Sequence, residues 1–117
     1  MKTTNKPSEY SAPRRGKQFE RNVVVCDADL ESIIPEYLEG KHEDCAQLRE
    51  LLHQGNFEEI RMVAHGMKGS GGCYGFSVIT DIGNVMEIAA KAGKPSDILK
   101  QVVLLEEYLD YIEVRYE

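Results

Sequence analysis

The sequence predicts an all-α fold: an antiparallel up-down four-helix bundle behind an N-terminal extended or disordered leader. Three observations predict it. Four segments repeat apolar residues at the three- and four-residue spacing of an amphipathic helix. Proline, glycine or asparagine stands at the junctions between them, where helices start and stop. The junctions are only a few residues long, which makes successive helices antiparallel neighbours.

The totals fit that frame. A chain of 117 residues, 42% of them hydrophobic, makes one domain with a real core. No apolar run approaches the roughly 20 residues that span a membrane, and Met1 to Pro7 lacks the apolar stretch of a signal peptide. The expected location is therefore the cytoplasm, with no membrane partner. Three cysteines, Cys26, Cys45 and Cys73, are widely and irregularly spaced, so they form no disulfide framework and are expected as buried or half-buried reduced thiols. Net charge is −6. Lys2, Lys6, Arg14, Arg15, Lys17 and Arg21 crowd the start, opposed only by Glu9 and Glu20, and the remainder is acidic. An acidic domain repels nucleic-acid phosphates, so no nucleic-acid partner is expected.

Residues 1–22 are polar, hold Pro7, Pro13 and Gly16, and show no apolar period; they read as a flexible basic leader to a bundle domain over 23–117. Val23 to Cys26 is a short β-branched run with no partner strand in view, expected to lie extended along the helices. The first helix is predicted from Ile34-Pro35 to Gln54, since proline suits a first turn, with Ile34, Leu38, Cys45, Leu48 and Leu52 on its inner stripe. Gly55 is placed for a left-handed cap. Asn56 with Glu59 forms the capping-box pattern that opens a second helix, Phe57 to about Cys73. The third runs from Phe76 to Ala92, with Phe76, Ile79, Ile82, Met86 and Ala89 inward and Asp81, Asn84, Glu87 and Lys91 outward. After Gly93, Pro95-Ser96 opens the fourth, which buries Ile98, Val102, Leu105, Leu109 and Ile112.

The second helix contains the stretch Ala64-His65-Gly66-Met67-Lys68-Gly69-Ser70-Gly71-Gly72-Cys73. At about 100° per residue, Ile60, Val63, Met67 and Tyr74 lie within about 40° of the direction opposite His65. His65 therefore faces away from the core, beside Glu58, Arg61, Lys68, Gly69 and Gly72. Each helical glycine costs about 0.8–1 kcal/mol against alanine, and four stand here: Gly66, Gly69, Gly71 and Gly72. Gly71, on the buried side, suits close helix approach. Gly69 and Gly72 clear shielding side chains from around the imidazole. An imidazole is largely neutral and nucleophilic near pH 7, and a phosphoryl group on it would find Lys68 one turn away and Arg61 at the preceding turn. No Ser/His/Asp arrangement and no Walker phosphate loop accompanies it. His42 and His53 read as surface histidines.

These residues resemble the histidine-containing phosphotransfer (HPt) domains, whose acceptor helix reads His-x-x-Lys-Gly-Ser/Ala, here His65-Gly66-Met67-Lys68-Gly69-Ser70. Ile34 to Glu39, Gly55-Asn56-Phe57, and Tyr74-Gly75-Phe76 with the helix ending at Lys91-Ala92-Gly93 are also similar, so the likeness covers roughly residues 27–115. The glycine run after Ser70 is richer than in many members. The resemblance implies a carrier without kinase activity of its own, relaying a phosphoryl group between receiver-domain aspartates through phospho-His65. It further implies Lys68 as charge stabiliser and Gly69 as room for the receiver's loops; Arg61 and Gly72, on the same face as His65, complete the expected receiver-docking face. The partners implied are response-regulator receiver domains and a hybrid sensor histidine kinase, the receiver supplying Mg²⁺, so that this chain needs no cofactor. A monomer is expected, no apolar stripe being visibly left over. A non-catalytic helical adaptor that docks receivers is the alternative. A zinc site drawn from His42, Cys45, His53, His65 and Cys73 lacks the spacing of a tetrahedral set.

Overall fold

The structure is a computed structural model and describes residues 22–117; apart from Asn22, the basic leader lies outside the described residues. Four helices follow one another: α1 (Ile34–Gln54), α2 (Phe57–Tyr74), α3 (Ser77–Lys91) and α4 (Pro95–Tyr111). Packing runs α1 with α2, α2 with α3, α3 with α4, and α4 back to α1. That closed square is the arrangement short connections impose.

Local chemistry sets the helix ends. Pro35 and Pro95 occupy first turns, where a missing N–H has no intrahelical role. Gly55 ends α1 at φ 69°, and its N–H reaches back to the carbonyls of Leu51 and Leu52. The Asn56 side chain then accepts from the Glu59 N–H at 3.2 Å. Gly75, at φ 90°, ends α2 after Tyr74, and Phe76 is the residue before α3 rather than its first member. Each helix supplies one stripe to a continuous core, with Ile34, Leu48, Ile60, Met67, Phe76, Ile79, Met86, Ile98, Val102, Leu105 and Tyr108 fully buried. On α1 the inner stripe is rotated slightly from expectation: Leu51 is buried, while Leu38 and Leu52 are half-buried.

One expectation needs correction. Val23 to Cys26 does have a partner strand. Strand β1 (Asn22–Cys26) pairs in parallel with β2 (Ile112–Tyr116), in register from Asn22 opposite Ile112 to Cys26 opposite Tyr116. The helical stripe continues numerically from Leu109 to Ile112, which hides the break. From there, however, Ile112-Glu113-Val114-Arg115-Tyr116 alternates with a period of two, the pattern of a strand with one buried face. Val24, Val114 and Tyr116 pack against the core, whereas Val23 and Val25 point outward. The parallel sense follows from the bundle. β2 continues in the direction of α4, and β1 runs the same way before a turn through Ala28–Leu30 reverses the chain into the antiparallel α1. Two further backbone bonds, Glu117 N–H to Cys26 and Ala28 N–H to Glu117, close the ribbon.

The tightest seam lies between α2 and α3. A Cβ on Gly71 would stand 2.7 Å from Thr80 Oγ1 and 2.8 Å from its nitrogen. One on Gly83 would stand 2.7 Å from the Lys68 nitrogen and 2.8 Å from the Ala64 oxygen. Backbone therefore meets backbone at two points, and Thr80 Oγ1 ties them by donating to the Lys68 carbonyl at 3.1 Å. The expected role of Gly71 in close approach holds. Gly83 supplies the second contact, directly beneath the turn that carries His65.

Candidate functional site

His65 projects from the middle of α2 with 69% of its side chain exposed. The core residues of the same helix, Ile60, Ala64, Met67 and Gly71, are buried on the other side. Apart from the adjacent residues and the local helix backbone, no heavy atom lies within 4 Å of where a Cβ would stand on Gly66 or Gly69, which leaves this face of α2 open. Gly72 is exposed too, but its Cβ position lies 3.7 Å from Thr80 Oγ1, at the edge of the α3 seam.

What the sequence pattern did not indicate is the group behind the ring. Glu87, expected to point outward from α3, is buried, with 6% of its surface exposed. Its Oε2 lies 3.0 Å from His65 Nδ1, and its Oε1 lies 3.5 Å from Lys68 Nζ. Lys91, one turn further along α3, brings its Nζ to 4.0 Å from Oε2. The error has a clear cause. On a helical wheel Glu87 sits at the border of the apolar stripe, and only the close approach over Gly83, one turn earlier, brings α2 down onto it. Burial pushes the Glu87 carboxyl upward. The hydrogen bond from His65 and the charges of Lys68, His65 and Lys91 together outweigh burial, holding it below the ordinary value of 4.5.

An ionised carboxylate can only accept, so the proton between the two groups belongs to Nδ1 of the imidazole. The outward nitrogen, Nε2, is then left with its lone pair facing solvent. A positive charge developing on the ring would be met by Glu87, as the buried carboxylate of a catalytic triad meets its imidazolium.

The remaining predicted residues separate. Lys68 is on the site, partly exposed and within reach of the imidazole's surroundings. Arg61 lies on the same helical face but is engaged with Glu58, through contacts of 2.6 and 3.2 Å. Ser70, the last residue of the motif, points away from the ring: its Oγ lies 2.9 Å from the Tyr37 hydroxyl. Tyr37 in turn packs against Tyr74 with the rings tilted and stacks on Phe76, at centroid distances of 4.7 and 5.8 Å, which anchors α1 against the end of α2. Two exposed apolar side chains also escaped the sequence reading. Met62, one turn before His65, is 53% exposed, and Ile88, next to Glu87, is 60% exposed. Their signal was a hydrophobic residue off the core stripe.

Cys26 and Cys45 are buried, and burial pushes the Cys45 thiol up to about 12. Cys73 is exposed, contrary to expectation. Among the described residues no three His, Cys, Asp or Glu side chains come together so as to hold a metal ion, and no helix is long and apolar enough to cross a membrane.

Among the described residues, a four-helix bundle thus presents a solvent-facing imidazole backed by a buried carboxylate. The model of the Hpt domain family matches residues 32–114; the chain belongs to that family, and its function lies in histidine phosphotransfer within two-component signalling. Comparison with curated proteins and with solved structures found no match.

Proposed function

We propose that this chain relays a phosphoryl group between receiver-domain aspartates, with His65 as the acceptor, Nε2 as the bonding atom and Glu87 as a positioning residue. The observation that carries the reading is the 3.0 Å pairing of His65 Nδ1 with a buried carboxylate beneath an otherwise open ring. The Nε2 lone pair attacks the phosphorus of an aspartyl phosphate on the incoming receiver. The N–P bond forms as the aspartyl O–P bond breaks, and the aspartate leaves as a carboxylate. No proton has to leave the ring, because Nδ1 keeps its own and Glu87 balances the charge the ring gains. The return step is the same displacement by the aspartate of a second receiver.

Lys68 neutralises the phosphoryl oxygens as a point charge. Gly69 and Gly72 leave room for the receiver's loops, and Met62 and Ile88 offer apolar contacts on either side of the nucleophile. Arg61 belongs to the docking rim through its pair with Glu58. The receiver supplies Mg²⁺ and the remaining catalytic groups, which makes this chain a carrier and not a kinase. Hybrid sensor kinases and response regulators are the partners that fit, and a relay between them would operate in the cytoplasm.

Transfer from a phosphorylated receiver tests the reading. The wild-type chain should acquire an acid-labile, alkali-stable label, and His65→Gln should acquire none. Labelling of His65→Gln at the wild-type rate would overturn it. Receiver binding without any label transfer, unchanged by the same substitution, would assign the chain to docking alone.

A further inference from the structure

Away from the phosphotransfer site, α4 carries an apolar stripe that no other helix covers. Leu99 is 41% and Val103 36% exposed. Two shallow grooves meet at Leu99 and Ser96. One, of about 500 Å³, is bounded by Arg49, Leu52, His53 and Pro95. The other, of about 450 Å³, is bounded by Lys100, Val103, Leu104 and Glu107. At about 100° per residue, Ser96, Leu99, Lys100, Glu107 and Asp110 all fall within about 60° of Val103, so they form one coherent outward face.

Charge on this face is divided by position. Lys100 stands toward the start of α4, and Glu106, Glu107 and Asp110 stand toward its end. Arg49 is already bonded to Glu106 at 2.7 Å, whereas Lys100 and Glu107 make no ion pair among the described residues. Burial first, then the neighbouring Glu106 and Asp110, push the Glu107 carboxyl up; an incoming cation would relieve that crowding. Lys100 and Glu107 also lie equally far on either side of the Val103–Leu104 pair.

That symmetry selects the occupant. We propose that this face of α4 is a self-association surface, on which two copies of the chain pair their fourth helices antiparallel about a two-fold axis at Val103–Leu104. Lys100 of one copy meets Glu107 of the other, twice over, while Leu99, Val103 and Leu104 close the apolar centre. Such an interface is isologous, the same patch serving both partners. α2 is diagonal to α4 in the bundle, so both His65 rings stay open in the pair. The proposal revises the monomer expected from the sequence, in which no apolar stripe is visibly left over.

Sedimentation of the full chain over a concentration series tests it. Expected are a rise from monomer to dimer mass with concentration, a shift back toward monomer in high salt, loss of the dimer in Lys100→Glu and in Glu107→Lys, and its return in the double charge reversal. Circular dichroism confirms that the variants are folded, and label transfer to His65 should be the same in all of them. Monomer mass at every concentration overturns the proposal, as does a dimer indifferent to both single reversals. A monomer whose Leu99–Val103 segment loses hydrogen-exchange protection when residues 1–21 are removed overturns it too, by assigning the face to the leader.

Discussion

The α2–α3 seam and the α1–α4 seam hold the same bundle together by different means. Between α2 and α3 the contact is backbone on backbone at Gly71 and Gly83, and a cluster of charges is seated above it. Between α1 and α4 the contact is made by large side chains, with Leu48, Leu51, Val102 and Leu105 buried and the Arg49–Glu106 pair across the outside. Side-chain packing tolerates adjustment and leaves grooves at its margin. Backbone contact fixes the separation of two helices to within tenths of an ångström. The site requires the second kind, because a carboxylate on one helix must meet a ring nitrogen on the other at hydrogen-bond distance.

Substitutions can break that contrast in graded steps. The largest loss of stability is expected on the side-chain seam: Leu105→Ala should cost about 2–5 kcal/mol in chemical denaturation, as for other buried leucines, while the folded fraction still accepts label at His65. On the other seam the largest effect should fall on transfer. Glu87→Ala removes the group that holds the tautomer and should slow label acquisition by about a hundredfold, with Glu87→Gln, which keeps an acceptor but not the charge, losing about tenfold. Equal rates in the two variants would show that the neutral acceptor adds nothing and that the carboxylate charge carries the effect.

Gly83→Ala sharpens the comparison further, because it forces a methyl group against the Lys68 backbone. It should destabilise by about 1–3 kcal/mol and also slow transfer, by moving Glu87 away from the ring. Gly66→Ala, pointing into open space, should instead stabilise α2 by about 0.8–1 kcal/mol through helix propensity.

Acid gives the most graded test. The folded Glu87 titrates below its unfolded value of 4.5, so its contribution to stability is full above the unfolded value. It is lost as pH falls through the lower folded value. Denaturation midpoints measured down the acid range should show this loss in the wild-type chain and a smaller one in Glu87→Gln.

Much of this was legible in the residues themselves because it is local. Helix periodicity, the caps at Gly55 and Asn56, and the outward direction of His65 depend on neighbours within one or two turns, which the sequence displays directly. Gly71 could be read as a contact glycine because the buried side of α2 was known from the wheel. The sequence alone therefore determined the four helices, their antiparallel order and the ring that faces solvent. Only the tertiary structure decided what stands behind that ring. Glu87 looks like any charged residue at the border of a stripe until Gly83 lets α2 settle onto it, and that depends on two helices whose contacting residues are about twenty positions apart. The same holds for β1, whose partner β2 lies some ninety positions further along the chain. Periodicity reports which way a side chain points from its own helix; what it meets there is set by the separation of helices, and that separation is a property of the whole fold.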